Sequence, residues 1–335
     1  MTQIPIFFTF DRHYVVPAAV AFHSLLRHAD PQYAYRLYVL HTDVPEADRH
    51  RLTRLVEQSG KGTLEFIDVS AFDTDAIRGQ KGHFSKEIYY KLLAPDLFPQ
   101  YDRILCSDVD VVFTDDIAPS YFLHPDEFFY YAGVGQVLES DRMAGYGNDF
   151  TPNELDILRK EIAAGYMMLN LKLMREYGIQ HRLTQFYQTN YPRLRLPEQD
   201  CLILCCYPYV RQMPLRFVVA NTYYRIPPEQ ADFCPYSDVL PADRKECERL
   251  YADALAHPVQ LHFVGADKPW NSLRVPCSAT WWQALRASGF TFRYLCALPG
   301  IVRQKLRRYS LRRFLHKLSD QLFKRSSSKH GKTIS

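Results

Sequence analysis

No apolar stretch of this chain is long enough to cross a bilayer: the longest runs, such as LILCCYPYV at 202–210, stop well short of the ~20 residues a membrane helix needs. The opening, MTQIPIFFTF, has neither the basic start nor the small-residue cleavage site of a secretion signal, and it runs straight into Asp11. It reads as a first strand, and the protein is expected to stay in the cytoplasm. No CxxC pair and no histidine at zinc-site spacing accompany the eight cysteines at 106, 201, 205, 206, 234, 247, 277 and 296. That excludes a structural zinc module and leaves reduced thiols packing as small hydrophobes. No GxGxxG or GxxxxGK[ST] follows the first strand, which argues against dinucleotide and P-loop binding. There is no internal repeat.

What is present is ample material for a core: 335 residues, 47% hydrophobic and 14% aromatic, enough for one large domain or two small ones. Charge is divided unevenly. From Ile301 onward eleven lysines and arginines face one acid, Asp320, leaving a body of 30 basic and 36 acidic residues. Strand-like IPIFFTF, YRLYVLH and TLEFIDV alternate with helical PAAVAFHSLLRHA and EADRHRLTRLVEQ, which predicts an α/β domain on a largely parallel sheet. Ligands of such sheets bind beyond the C-terminal strand ends. TFDRHY at 9–14 and SDVD at 107–110 both fall there, so two distant segments are expected to share a site.

Further along, Thr151 and Glu154 have capping-box spacing in TPNELDILRKEI, and AAGYMMLNLKLMREYG reads as an apolar run leading into a helix. PVQLHFVGADKPW reads as a strand and loop, and Ser278 as the cap of ATWWQALRAS. Leu311, Phe314, Leu315, Leu318 and Leu322 recur at helical spacing among basic residues, and the final SSSKHGKTIS is expected to be disordered.

Residues i and i+2 of an extended strand point to one side, so Asp108 and Asp110 can converge on one cation that cancels their repulsion. A hard divalent ion held by carboxylates, its shell completed by substrate phosphates, suits that oxygen supply. A solvated strand end with a turn is the alternative for an isolated DxD.

Six segments in order, IFFTFDRHY, HFSKEIYYKLLAPDLFP, YDRILCSDVDVVFTDDI, AAGYMMLNL, LPEQDCL and HFVGADKPW, resemble the retaining glycosyltransferases of family 8. The likeness is strongest to bacterial lipopolysaccharide and lipooligosaccharide α-galactosyl- and α-glucosyltransferases, and it spans roughly residues 4 to 275. It implies a GT-A fold over 1–290, an α/β architecture with a mixed, mostly parallel central sheet flanked by helices, and a basic amphipathic segment over 291–335. It also implies a UDP-sugar donor with Mn²⁺ or Mg²⁺. By position Asp108, Asp110 and His262 resemble the metal ligands, and imidazole beside carboxylates favours Mn²⁺. Thr9, Asp11 and Tyr14 match the uridine site, where a carboxylate can accept the uracil N3 proton and a tyrosine can stack on the base. His83, Tyr89 and Lys91 match the segment that closes over the donor, with lysine where the family usually has arginine. Val109 falls among the donor-contacting positions, Gly265 lets backbone approach the diphosphate, and Lys268 supplies it with positive charge. Glu198, Gln199 and Asp200 match the residues nearest the sugar. Two further departures are Glu198, where aspartate is common, and Ala163, where an asparagine is common.

Read without the resemblance, Asp11 is a helix N-cap with Tyr14 packed in the first turn. His262 is then a core histidine, Lys268 a surface lysine, and 198–200 a polar helix start. The expected partners are the UDP-sugar, a lipid-linked oligosaccharide acceptor and, through the tail, an anionic membrane surface on the cytoplasmic side, with no nucleic acid. The rival functions are a nucleotide-sugar-binding protein with little transfer activity and a metal-dependent phosphohydrolase or nucleotidyltransferase.

Overall fold

The first strand, Thr2–Thr9, is buried from Ile4 to its end, the mark of a strand covered on both faces. The computed structural model of the protein describes residues 1–72, 86–138, 143, 145–146 and 149–308. Among these the strands are β1 (Thr2–Thr9), β2 (Tyr33–His41), β3 (Gly62–Asp68), β4 (Ile104–Ser107), β5 (Val111–Phe113), β6 (Tyr131–Gly135), β7 (Ile162–Leu169), β8 (Val210–Gln212), β9 (Val219–Ala220) and β10 (Gln260–His262). Seven form one sheet, β3-β2-β1-β4-β7-β6-β8, and the other three form a small one, β5-β10-β9. In the large sheet β1 is parallel to β2 and β4, β2 to β3, and β6 to β8, while β7 runs antiparallel to β4 and β6. This is the mixed, mostly parallel sheet that the family resemblance implies, and its largely parallel part is what the alternating pattern predicts.

The period-2 geometry of β1 divides the core. Ile4, Ile6 and Phe8 cluster with Leu37 and Val39, with helix α1 (Val15–His28) and with Trp281 of the helix Ser278–Ala287. Phe7 joins Tyr38 and Leu40 on the other side, with Leu183 and Ile203 from the helices Ile179–Asn190 and Pro197–Cys206. All eight cysteines are free, and Cys106, Cys201, Cys205, Cys206, Cys234 and Cys247 are buried, as packing thiols should be.

Local signals hold in part. Thr151 and Glu154 form the full capping box, with Pro152 in the first turn, but that helix ends at Arg159 because β7 claims the chain from Ile162. Ser278 is not a cap: Cys277, at φ +59°, precedes the helix and makes no side-chain capping bond. The loop before it delivers the chain in a left-handed turn, which no propensity at Ser278 could announce.

The helix Thr291–Arg308 packs on the body. Tyr294 is buried, Leu298 and Ile301 lie against the core, and Arg293 forks onto buried Asp48 of α2 (Glu46–Glu57) at 3.0 and 2.9 Å. The Arg293 hydrogen bond holds the Asp48 carboxyl below its ordinary range against the opposing effect of burial, and Arg51 assists at 3.0 Å. Residues 309–335, with the predicted leucine pattern, lie outside the described residues. Among those described, no helix is long and apolar enough to cross a membrane.

Arg293→Ala leaves Asp48 buried with Arg51 alone, and the expected cost is about 2 kcal/mol, below the range for a fully buried broken pair because Arg293 is partly exposed. A depressed carboxyl stabilises the fold above the unfolded pKa and loses that contribution as pH falls through the folded one. The difference in thermal unfolding between the variant and the parent is therefore expected to shrink below about pH 4.

Candidate metal and donor site

The DxD lies at the C-terminal end of a strand, as expected, but not in the extended strand conformation that its i, i+2 convergence presumes. β4 ends at Ser107 and β5 begins at Val111, so Asp108 to Asp110 form the bend between the large sheet and the small one. Alternation survives in the burial alone: Val109 packs in the core while Asp108 and Asp110 turn outward, partly exposed. Any donor contact at Val109 therefore falls to its backbone.

Pairing places the third member. β10 runs antiparallel to β5 with His262 opposite Val111, and the Phe263 amide donates to the Asp110 carbonyl at 3.0 Å. The Asp108 amide donates to the Gly165 carbonyl of β7 at 2.9 Å. Two stretches far apart in sequence thus bring one ligand atom each from Asp108, Asp110 and His262 within 4.8 Å of one another, with β7 bracing the first.

Each carboxylate is divided between two duties. Asp108 Oδ1 lies 2.6 Å from Lys91 Nζ, and its Oδ2 lies 3.7 Å from His262 Nε2. Asp110 Oδ2 lies 2.6 Å from Lys268 Nζ, and its Oδ1 lies 3.2 Å from His262 Nε2. One oxygen of each acid is neutralised by a lysine and the other faces the imidazole. Two carboxylate oxygens and one ring nitrogen converging in this way fit a divalent cation of the Mn²⁺ or Mg²⁺ kind.

The electrostatics agree. Burial opposes ionisation of Asp110, but Lys268 and His262 outweigh it and hold the carboxyl far below its usual range. Burial likewise opposes the charge on Lys91, and Asp108 with Glu198 reverses the effect, so the ammonium is held above the ordinary lysine value. Glu198 is pushed up, first by burial and further by Asp108, with Lys91 opposing.

The parallel pairing of β1 with β4 sets Phe8 beside Ser107, so Thr9 and Asp11 leave the sheet alongside Asp108. Here β1 sends its neighbours in both directions, the switch point where open α/β sheets bind ligands. The Asp11 side chain accepts from the His13 amide at 2.9 Å as an N-cap, and burial raises its pKa. Tyr14 meets Trp270 edge-on at 5.8 Å, which closes the HFVGADKPW loop against the first strand. Gly265 takes φ +81°, open only to a residue without a side chain at low cost, and the space beside it is open. Lys268 also donates to the Phe263 carbonyl.

Gln199 and Glu198 join the cluster through the Ala164 amide, which donates to Gln199 Oε1 at 2.9 Å, and through Lys91, 3.6 Å from Glu198 Oε1. Asp200 stands apart from it: fully buried, it accepts from the Arg195 and Leu196 amides at 2.7 and 3.1 Å and from the Tyr146 hydroxyl at 2.6 Å. Tyr89 is buried against Tyr187, with ring centres 5.1 Å apart. His83 lies outside the described residues.

Sequence reasoning missed Gly165 and Asn221. Asn221, buried, accepts the Val264 amide at 3.0 Å and steadies the loop after His262. Gly165 is where the ring of His262 rests: a Cβ there would lie 2.6 Å from His262 Cε1 and 3.2 Å from Asp108 Oδ2. The available signal was a glycine inside an otherwise apolar strand, which marks close approach of another group.

The sequence profile described as "Glycosyl transferase family 8" matches residues 5–274. General stress protein A of Bacillus subtilis (strain 168) is 22% identical over 275 residues, 78% of this chain and 85% of that one. Among solved structures, the apo form of the bifunctional glycosyltransferase WbbM superposes with a TM-score of 0.68 at 22% identity, covering 88% of this chain and 51% of that one. This chain thus spans about half of WbbM. The galactosyltransferase LgtC, solved with donor and acceptor sugar analogs, superposes with a TM-score of 0.63 at 21% identity over 85% of this chain and 96% of that one. The fold is therefore that of the GT-A glycosyltransferases.

Gly165→Ala is expected to leave the fold intact, because the nearest atoms a Cβ would meet there belong to the side chains of His262 and Asp108 and not to backbone. Mn²⁺ affinity, measured by titration of the purified protein, is expected to fall by about 10-fold or more as His262 is pushed from the carboxylates.

Proposed function

The chain belongs to glycosyl transferase family 8, and from that membership we propose that it moves a hexose from a UDP-sugar to a lipopolysaccharide- or lipooligosaccharide-type core acceptor with retention of configuration. Galactose and glucose are the sugars in view. The observation that carries this reading is the division of the two carboxylates, which leaves Asp108 Oδ2 and Asp110 Oδ1 turned toward His262 Nε2.

A divalent cation held by Asp108, Asp110 and His262 would neutralise charge growing on the departing diphosphate. Lys268, beside Asp110, adds a compact positive charge on the same side. Gly265 leaves open space where backbone can approach the diphosphate. Thr9, Asp11 and Tyr14, at the end of β1, receive the uridine. Glu198 and Gln199 border the sugar. Gln199 is an amide already engaged by the Ala164 backbone, a poor nucleophile, so attack by the acceptor hydroxyl on the face the nucleotide leaves is favoured over a covalent glycosyl-enzyme. The departing phosphate then takes the acceptor's proton. A glycosyl adduct trapped on Glu198, Gln199 or Asp200 would overturn this step.

The acceptor's lipid anchor places the work at the inner face of the cytoplasmic membrane. Supporting this, Phe292, Leu295, Pro299, Val302 and Leu306 are exposed at steps of three and four residues on the helix Thr291–Arg308, with Arg303 beside them. A basic helix with an outward apolar stripe suits an anionic bilayer surface. The cut that tests it must fall beyond the packed helix, since Ile301 belongs to the body. Deleting 309–335 together with Leu295→Ser and Leu306→Ser is expected to abolish co-sedimentation with anionic vesicles. Unchanged sedimentation rejects membrane binding.

The central assay incubates the protein with Mn²⁺ and a panel of UDP-sugars, with and without truncated lipopolysaccharide core, and follows UDP release and product linkage. Acceptor-dependent release is expected, and Asp110→Asn is expected to lower kcat/KM by about 10²–10³-fold. Tight donor binding without turnover would favour the binding-protein reading, and release of sugar phosphate would favour a phosphohydrolase.

A further inference from the structure

We propose that Lys91 is a positioning residue which holds Asp108 in its metal-facing orientation, and that it makes no contact with the sugar diphosphate. The proposal rests on the reading of Asp108, Asp110 and His262 as a divalent-cation site. Its ground is the environment of the ammonium. The Lys91 side chain is 0% exposed, and its Nζ donates to Asp108 Oδ1 at 2.6 Å and to the Ala164 carbonyl at 3.0 Å, with Glu198 Oε1 at 3.6 Å. Of the three protons an ammonium carries, two are taken by Asp108 Oδ1 and the Ala164 carbonyl, and the Glu198 carboxylate stands beside it as an ion-pair partner, so three separate segments enclose this one. Reaching a phosphate would require it to abandon partly exposed Asp108 and buried Glu198, and Glu198 would then lose the ammonium beside it.

The same contacts explain what Lys91 does. Ala164 and Gly165 are successive residues of β7: the Ala164 carbonyl receives Lys91, and the Gly165 carbonyl receives the Asp108 amide at 2.9 Å. Asp108 is thereby held by its backbone from one residue and by its side chain through the next. With Oδ1 engaged, Oδ2 is the oxygen left to face His262. Lys268 does not duplicate this role, because it pairs with Asp110 and the Phe263 carbonyl.

The two accounts of Lys91 predict opposite signs. If it acted only as a nearby charge, removing a cation beside a ligand oxygen would tighten divalent binding. If it positions Asp108, removing it frees the carboxylate to turn, and binding weakens.

The test titrates Mn²⁺ alone into purified wild type and Lys91→Met, following free Mn²⁺ by electron paramagnetic resonance, and titrates UDP without metal in parallel. Lys91→Met is expected to bind Mn²⁺ about 10-fold more weakly or worse, with metal-free UDP affinity unchanged. Because Lys91→Met strands buried Glu198, Lys91→Met with Glu198→Gln is measured beside it, expected to recover thermal stability while keeping the weak Mn²⁺ binding. Equal or tighter Mn²⁺ binding in either folded variant, or loss of metal-free UDP binding, overturns the proposal. Failure of the wild type to bind Mn²⁺ would overturn the metal reading and this inference with it, whereas normal wild-type binding with no change on substitution overturns the inference alone.

Discussion

Like charges held a few ångströms apart are the constraint around which this protein is arranged. Asp108, Asp110 and Glu198 crowd one pocket, and two buried lysines are interleaved with them: Lys91 between Asp108 and Glu198, and Lys268 against Asp110. The compensation is partial by construction. Each lysine takes one oxygen of an aspartate and leaves the other, so the pocket keeps the negative character that attracts a divalent cation. Ammonium groups suit this task, because a compact charge can satisfy one oxygen without the two-oxygen grip a guanidinium would make.

Such a cluster needs a rigid frame, and the two sheets supply it from different directions. The large sheet delivers Asp108 at the end of β4 and the Gly165 backbone from β7, while the small sheet delivers His262 through β10. The bend at 108–110 is where the chain passes from one sheet to the other. That transition explains why the acids are partly exposed in a chain region otherwise mostly apolar: β4 ends at Ser107 and β5 begins only at Val111. It also explains the demand for glycine at 165, since the imidazole from one sheet lies directly on the backbone of the other.

The C-terminal helix is tied into the same frame. Tyr14, Trp270, Trp281 and Tyr294 form a run of neighbouring rings from the end of β1 to the last helix, with centre distances of 5.8, 5.5 and 6.2 Å. Lys305 reaches back to the Asn271 carbonyl, and Asn271 in turn accepts the Lys268 amide through its side chain at 2.9 Å. The helix that bears the exposed apolar stripe therefore also buttresses the loop that carries Gly265 and Lys268.

Much of this was legible in the residues. Alternating apolar patterns announced the α/β class, because burial on two faces of a parallel strand and on one stripe of a helix leaves different periods in the sequence. The ordered motifs announced the family, and with it the acids, the histidine and the lysine of the candidate site. The sequence by itself could not say that Asp108 and Asp110 sit in a bend between sheets, that Lys91 is enclosed by Asp108, the Ala164 carbonyl and Glu198, that Asp200 turns to Tyr146 and its own helix start, or that Gly165 underlies the imidazole. Propensity and periodicity are properties of neighbours along the chain, and they settled the elements; these four features depend on which strands pair and which loops meet, a decision taken by packing among segments that are not neighbours along the chain, so only the tertiary structure could make it.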